Sequence, residues 1–272
     1  MPVREALYNS AALTLLIVGV VLWIRALVRG DAQRWLESPS RLPAWSIPWG
    51  DFLLLPFIAL VLLIFVPAGL FWVTGLKVET PRTAAMVLLS GYGMGLALIG
   101  AAALFRLLPC GHPGESREST LRCIASGLLG LVYFVPPCAL LVFAWTALIR
   151  ALGWPAEVQE VVLIIRGTTD TAMLLQWIIV VAVLAPLGEE LVFRAGLFRF
   201  LANRMNPALA AAISAALFAA LHWNLQASLP LFVLGLVLAA VYHKTGRILT
   251  AIVLHAAFNL NTLLAIFSGA AI

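Results

Sequence analysis

The chain has 272 residues, of which 63% are apolar and 11% charged, and its formal net charge is +5. Soluble domains carry about 25% charged residues, so a water-soluble globular fold is excluded and lipid is the expected solvent. The positive balance does not indicate a nucleic-acid partner, because the basic residues stand singly at the ends of apolar runs.

Apolar runs near 11–27, 52–75, 83–107, 124–149, 171–187, 207–222, 229–242 and 249–267 recur down the chain. Most approach or exceed the roughly 20 residues a helix needs to cross about 30 Å of hydrocarbon. Backbone polar groups in lipid must pair within their own segment, so the runs predict an all-α, polytopic transmembrane helical bundle of about eight spans. The last four runs are short and 153–170 is amphipathic, which leaves room for one re-entrant or interfacial segment. Arg25 ends the first run and no small-x-small cleavage site follows, so this run reads as a retained anchor rather than a secretion signal. Cys110, Cys123 and Cys138 are odd in number and form no CxxC pair, which indicates neither a disulfide framework nor a thiolate zinc site.

Counted on alternate sides of eight spans, five basic residues fall on one face: Arg4, Lys77, Arg82, Arg150 and Arg166. Twelve fall on the other: Arg25, Arg29, Arg34, Arg41, Arg106, Arg117, Arg122, Arg194, Arg199, Arg204, Lys244 and Arg247. The positive-inside tendency makes the twelve-residue face cytoplasmic and puts both termini outside.

Before about Asp170 the polar residues fall mainly in loops, and that half reads as scaffold. Beyond it only two acids remain, the adjacent Glu189 and Glu190. They stand in Pro186-Leu-Gly-Glu189-Glu190-Leu-Val-Phe-Arg194, directly after an apolar run, which places them at or just inside the membrane boundary near the cytoplasmic face. At helical spacing Glu190 and Arg194 share a side and can pair, while Glu189 points about 100° away and stays free for another task. Downstream, His222 ends an Ala-rich apolar helix with Phe218 one turn before it. His255 and Asn259, four apart in the last run, project from one face.

Each group alone has a structural explanation, as a solvated helix end or a packing histidine. Together they are costly in lipid unless they share one polar pocket. A carboxylate beside an imidazole can take a proton from water, and a second histidine with an amide can donate to an oxyanion. That is a peptidase's equipment. The sequence has no HExxH, no Ser or Cys that stands out as a nucleophile paired with histidine, and no second intramembrane Asp for a dyad.

These residues resemble the CPBP family, the type II CAAX prenyl endopeptidases and bacteriocin-processing proteins also called the Abi family. The family's EExxxR is matched by Glu189, Glu190 and Arg194, its FxxxH by Phe218 and His222, and its HxxxN by His255 and Asn259. The resemblance covers 171–267, and divides the chain into variable leading transmembrane helices, 1–120, and a peptidase core, 121–272. It implies that Glu189 and His222 activate a water, that His255 and Asn259 stabilise the oxyanion, and that Glu190, Arg194 and Phe218 support them. It also implies a protein or peptide substrate, such as a CAAX-like tail, a leader peptide or a C-terminal sorting anchor, met in the lipid bilayer of a bacterial or archaeal cytoplasmic membrane.

No cofactor is firmly implied, and zinc stays open. Glu189, His222 and His255 could hold it with a free position for water, whereas Asn259 in place of a stronger ligand favours glutamate catalysis without metal. From outside the enzymes, the same pocket could serve an immunity factor, a scaffold or a transporter, although no inverted repeat or broken helix pair supports transport.

Other polar and aromatic residues have structural explanations. His243, Lys244, Gly246 and Arg247 form a short basic loop read as solvated charge and helix termination, and Gly235 and Tyr242 are read as close helix packing. His112 is read as exposed. Trp45, Trp49, Trp72, Trp154 and Trp223 fit interfacial anchoring, and Glu157 and Glu160 a wet helical face.

Overall fold

The computed structural model describes residues 2–77, 83–105, 107, 119–154 and 158–269, so Arg82, Arg106, Cys110, His112, Arg117 and Glu157 lie outside the described residues. All regular structure among the described residues is helical: α1 (Pro2–Val28), α2 (Asp31–Glu37), α3 (Trp49–Thr74), α4 (Ala84–Leu104), α5 (Thr120–Ala151), α6 (Glu160–Gly167), α7 (Thr171–Ala202), α8 (Pro207–Ala220), α9 (Leu225–Thr245) and α10 (Ile248–Ser268). Seven of these, α1, α3, α4, α5, α7, α9 and α10, are long and apolar enough to cross a membrane. The chain is an integral membrane bundle.

The helices start and stop where local chemistry says they should. Asp170 caps α7 by accepting from Ala172 and Met173 N–H groups, and Asn206 does the same for Ala208 and Leu209 of α8, with Pro207 at the first helical position. Asn224 opens α9 by accepting from Ala227 N–H. Gly246 closes it at φ 67°, a left-handed position that glycine adopts without strain.

Two runs differ from expectation. The run at 171–187 continues as one 32-residue helix to Ala202, so the acid pair lies well inside a helix rather than at its end. Nothing breaks that helix: Leu191, Ala195 and Phe198 are buried in the main core, and Arg194 neutralises Glu190 from the next turn. The run at 207–222 yields only 14 residues of helix, about 21 Å long and short of a full crossing.

Three connections meet at one end of the bundle. Arg204 donates to Trp45 O at 3.2 Å and also to Ile47 O, Asn203 Nδ2 donates to Pro43 O at 3.4 Å, Lys244 Nζ donates to Leu36 O at 2.7 Å, and Arg41 N–H donates to His243 O at 2.9 Å. Gly246 belongs to this seam, since a Cβ there would collide with Arg41 O at 2.2 Å. Because α7 ends and α9 ends at the same place, α8 and α9 form a hairpin, and the short α8 carries the chain to the opposite side. Near that opposite side Tyr8 of α1 lies beside Asn261 of α10. Among the described residues the path therefore runs up and down the bundle eight times, seven times in helices long enough to cross a membrane and once in the shorter α8.

Helix α7 runs through the middle. Its Leu191, Phe198 and Phe200 pack with Phe52 and Leu55 of α3, Leu98 of α4, Phe134 of α5, Leu234 and Leu238 of α9, and Leu254 of α10. Outward faces of α1, α3 and α5 expose Leu, Val, Ile and Phe, as a lipid-facing bundle requires. The basic loop is not simply solvated, because Lys244 also donates to Ser38 O and is half-buried. Trp45 does not anchor at an interface either: its ring packs edge-on to Phe200 and Phe52 and lies 4.7 Å from the Arg199 guanidinium. Trp49, Trp72, Trp154 and Trp223 are exposed, as anchoring predicts, and Glu160 lies on an exposed face of α6.

Candidate active site

The site is built around an irregularity in α7. The helix widens to π-type turns over Val180–Leu184 and again over Leu191–Phe198, with regular α-helix at Ala185–Glu190 between them. Such widenings recur at functional sites because they leave backbone groups to be satisfied by side chains. Here the cause is visible. Ala185 N–H reaches back to Val180 O, so the next bond of this register would run from residue 186 to Val181 O. Residue 186 is proline and has no N–H to give. Asn259 of α10 supplies the missing donor, its Nδ2 lying 2.9 Å from Val181 O. One amide hydrogen of Asn259 is thus spent on joining α10 to α7, and the other remains.

One turn further along, the adjacent acids are split by their surroundings. Glu190 is fully buried with Arg194, whose Nη1 approaches Glu190 Oε1 to 3.0 Å. The same oxygen takes His255 Nδ1–H at 2.9 Å, the tautomer a carboxylate partner selects. Glu190 therefore ties α7 to α10 and presents His255 Nε2 to Glu189, whose Oε2 lies 3.7 Å away. Glu189 keeps 19% of its side-chain surface accessible, against 2% for His255.

Phe218 of α8 is the hub on the other side. The Arg194 guanidinium lies 4.3 Å from its ring centroid, a favourable cation–π placement. Its ring meets the His222 ring at 4.9 Å and the His255 ring at 5.7 Å. His222 Nδ1–H donates to Phe218 O at 2.8 Å, which leaves its Nε2 to face away from the helix end. Gly235 of α9 makes room for all this: a Cβ there would sit 2.8 Å from the Ala215 Cβ and 3.2 Å from Arg194 Nη2.

The structure thus gathers Glu189, Glu190, Arg194, Phe218, His222 and His255 into one cluster, with Asn259 directed at the α7 backbone on the same face as His255. The Glu190–Arg194 pair is as expected from spacing. The Glu190–His255 contact was not legible, since nothing local to either residue announces a partner 65 positions away. The Asn259–Val181 bond had a signal that spacing alone hides, namely a proline within an apolar helix five positions after a carbonyl. Among the described residues no three His, Cys, Asp or Glu side chains come together as a metal-binding group. Glu189, His222 and His255 do not form a zinc triad in this arrangement.

Residues 171–261 match the type II CAAX prenyl endopeptidase Rce1-like family. The matched segment is about a third of the chain and holds every residue of the cluster. It agrees with the CPBP resemblance carried by the three motifs, and it joins an integral membrane fold to a family of proteases. No curated protein and no solved structure matches the chain.

Proposed function

We propose that the chain is an intramembrane endopeptidase in which Glu189 is the general base. The observation that carries this reading is the division of two neighbouring acids. Glu190 is buried and committed to Arg194 and His255, whereas Glu189 is accessible and stands 3.7 Å from an imidazole that Glu190 orients. A carboxylate so placed can take a proton from a water held between it and the histidines.

The water oxygen, activated by Glu189 with His222, attacks the peptide carbonyl carbon, and the carbonyl electrons move onto oxygen. That oxyanion is met by His255 Nε2–H, when both ring nitrogens carry protons, and by the unspent amide hydrogen of Asn259. As the carbon–nitrogen bond breaks, the proton on Glu189 passes to the leaving amine, so one water is consumed and one acid and one amine are formed. Glu190 and Arg194 hold His255 and Phe218 in place and do not touch the reacting atoms. The substrate is a segment at or in the membrane: a CAAX-like tail, a leader peptide or a C-terminal sorting anchor.

The test uses purified chain in lipid vesicles with membrane-anchored reporters of these three kinds. Glu189→Gln keeps shape and removes the base, so cleavage should fall by about 10²–10⁴-fold. Undiminished cleavage by the variant would remove Glu189 from the mechanism.

A further inference from the structure

Resting on the peptidase reading, we infer that Ser214 is a positioning residue: by hydrogen-bonding the Phe193 carbonyl it fixes where α8 sits along α7, and so where His222 stands relative to Glu189.

Ser214 is fully buried, and its Oγ–H donates to Phe193 O, 21 positions back in the chain, at 3.0 Å. A helical serine commonly bonds the carbonyl four residues behind it, as Ser10 does to Ala6 O and Ser90 to Met86 O. Ser214 gives its proton to the neighbouring helix instead. The carbonyl it meets lies in the second widened stretch of α7, Leu191–Phe198, where the backbone register slips and Arg199 N–H reaches back five residues to Arg194 O. Such a stretch leaves backbone groups for side chains to satisfy.

The first widened stretch, Val180–Leu184, is held in the same manner by Asn259 on Val181 O. Asn259 belongs to α10, which carries His255, and Ser214 belongs to α8, which leads to His222. Each histidine-bearing segment is thus pinned to α7 by one polar side chain, on either side of the regular turn Ala185–Glu190 that holds the acids.

Helix α8 needs such a pin. It has 14 residues and is rich in alanine, and Ala210, Ala215 and Ala219 are among its buried side chains. Small side chains let helices approach closely, but their shallow ridges resist sliding and rotation weakly. The Phe193–Phe218 contact, edge-on at 5.5 Å, does not fix the register by itself. From the pin the geometry is carried forward in single turns: Ser214 and Phe218 are four apart and share a face, and His222 Nδ1–H is tied to Phe218 O at 2.8 Å. At 1.5 Å per residue His222 stands about 12 Å from the pin, so a small shift of α8 moves its imidazole directly. A displacement of 1 Å at a reacting group can cost about 10²-fold in rate.

The test uses the full chain in lipid vesicles with a reporter that it cleaves. Ser214→Ala should lower kcat by about 10²-fold and leave KM nearly unchanged. Made on top of His222→Ala, the same substitution should scarcely lower the residual rate, because the group it positions is already gone. Ser214→Cys, of similar shape with a weak donor, takes the place of the alanine variant if that one does not accumulate, and should show the same pattern at smaller amplitude. Independently of catalysis, backbone amides of 191–198 should exchange hydrogen faster in the variant. An undiminished kcat, the same fold-loss with and without His222, or unchanged exchange overturns the inference. Cleavage that persists in Glu189→Gln, with the faster exchange of the Ser214 variant present, defeats the peptidase reading and leaves the pin standing.

Discussion

Glu190 shows what a buried charge does when it has two partners. Removing one member of such a set leaves the others desolvated and uncompensated, which costs more than the set contributes when intact. Glu190→Gln or Arg194→Ala alone should lower stability by about 3–5 kcal/mol, seen as loss of folded protein in a thermal or denaturant titration in detergent. The paired change Glu190→Leu with Arg194→Met, apolar and of similar bulk, should restore most of that stability. Activity should stay lost, because His255 then has no carboxylate on Nδ1. A double variant that cleaves at the full rate would show that Glu190 does nothing beyond stabilising the fold. The pair itself was readable from i,i+4 spacing, and so was the freedom of Glu189. What spacing does not give is which acid is buried, because that depends on helices α8, α9 and α10 closing over one side of α7.

At the level of helices, two close approaches set the site. Asn259 replaces the backbone donor that Pro186 lacks, so it has a structural duty beside the catalytic one proposed for it. Asn259→Ala should cost roughly 0.6–2 kcal/mol for the lost bond to Val181, and also about 10²–10³-fold in turnover of the folded fraction if the second amide hydrogen meets the oxyanion. Turnover per folded molecule that is unchanged would leave Asn259 with the structural duty alone. Gly235 lets α9 lie against Ala215 of α8 and beside Arg194. Gly235→Val should push α9 outward, cost about 1–3 kcal/mol by overpacking, and depress cleavage through Arg194 and Phe218 rather than through any reacting group. A Gly235→Val protein of unaltered stability would contradict the packing described. The sequence gives the helices but sets their ends poorly. The run at 171–187 looked finished at the acids because charge usually ends a span, yet here the charges are paired within the bundle and the helix goes on.

For the whole molecule, composition settled the class, since so few charges in so apolar a chain leave only a helical bundle in lipid. The polytopic bundle was also legible, with seven helices of spanning length among the described residues where about eight were expected. Helix α8 is too short to be counted by length, but the hydrogen bonds that bring Arg204 and Lys244 to one connection make it run antiparallel to α9. Ending that run at the acids missed the continuation of α7 to Ala202, because a linear run cannot show that α7 passes through the centre of its neighbours. The account of function comes down to Glu189 acting on water at the accessible side of that centre. Its most direct test is a comparison of new peptide termini in membranes of cells making the unsubstituted chain and cells making Glu189→Gln at equal, folded amounts. The account predicts that at least one membrane-proximal cleavage product is present with the first and missing with the second; identical sets of termini would contradict it.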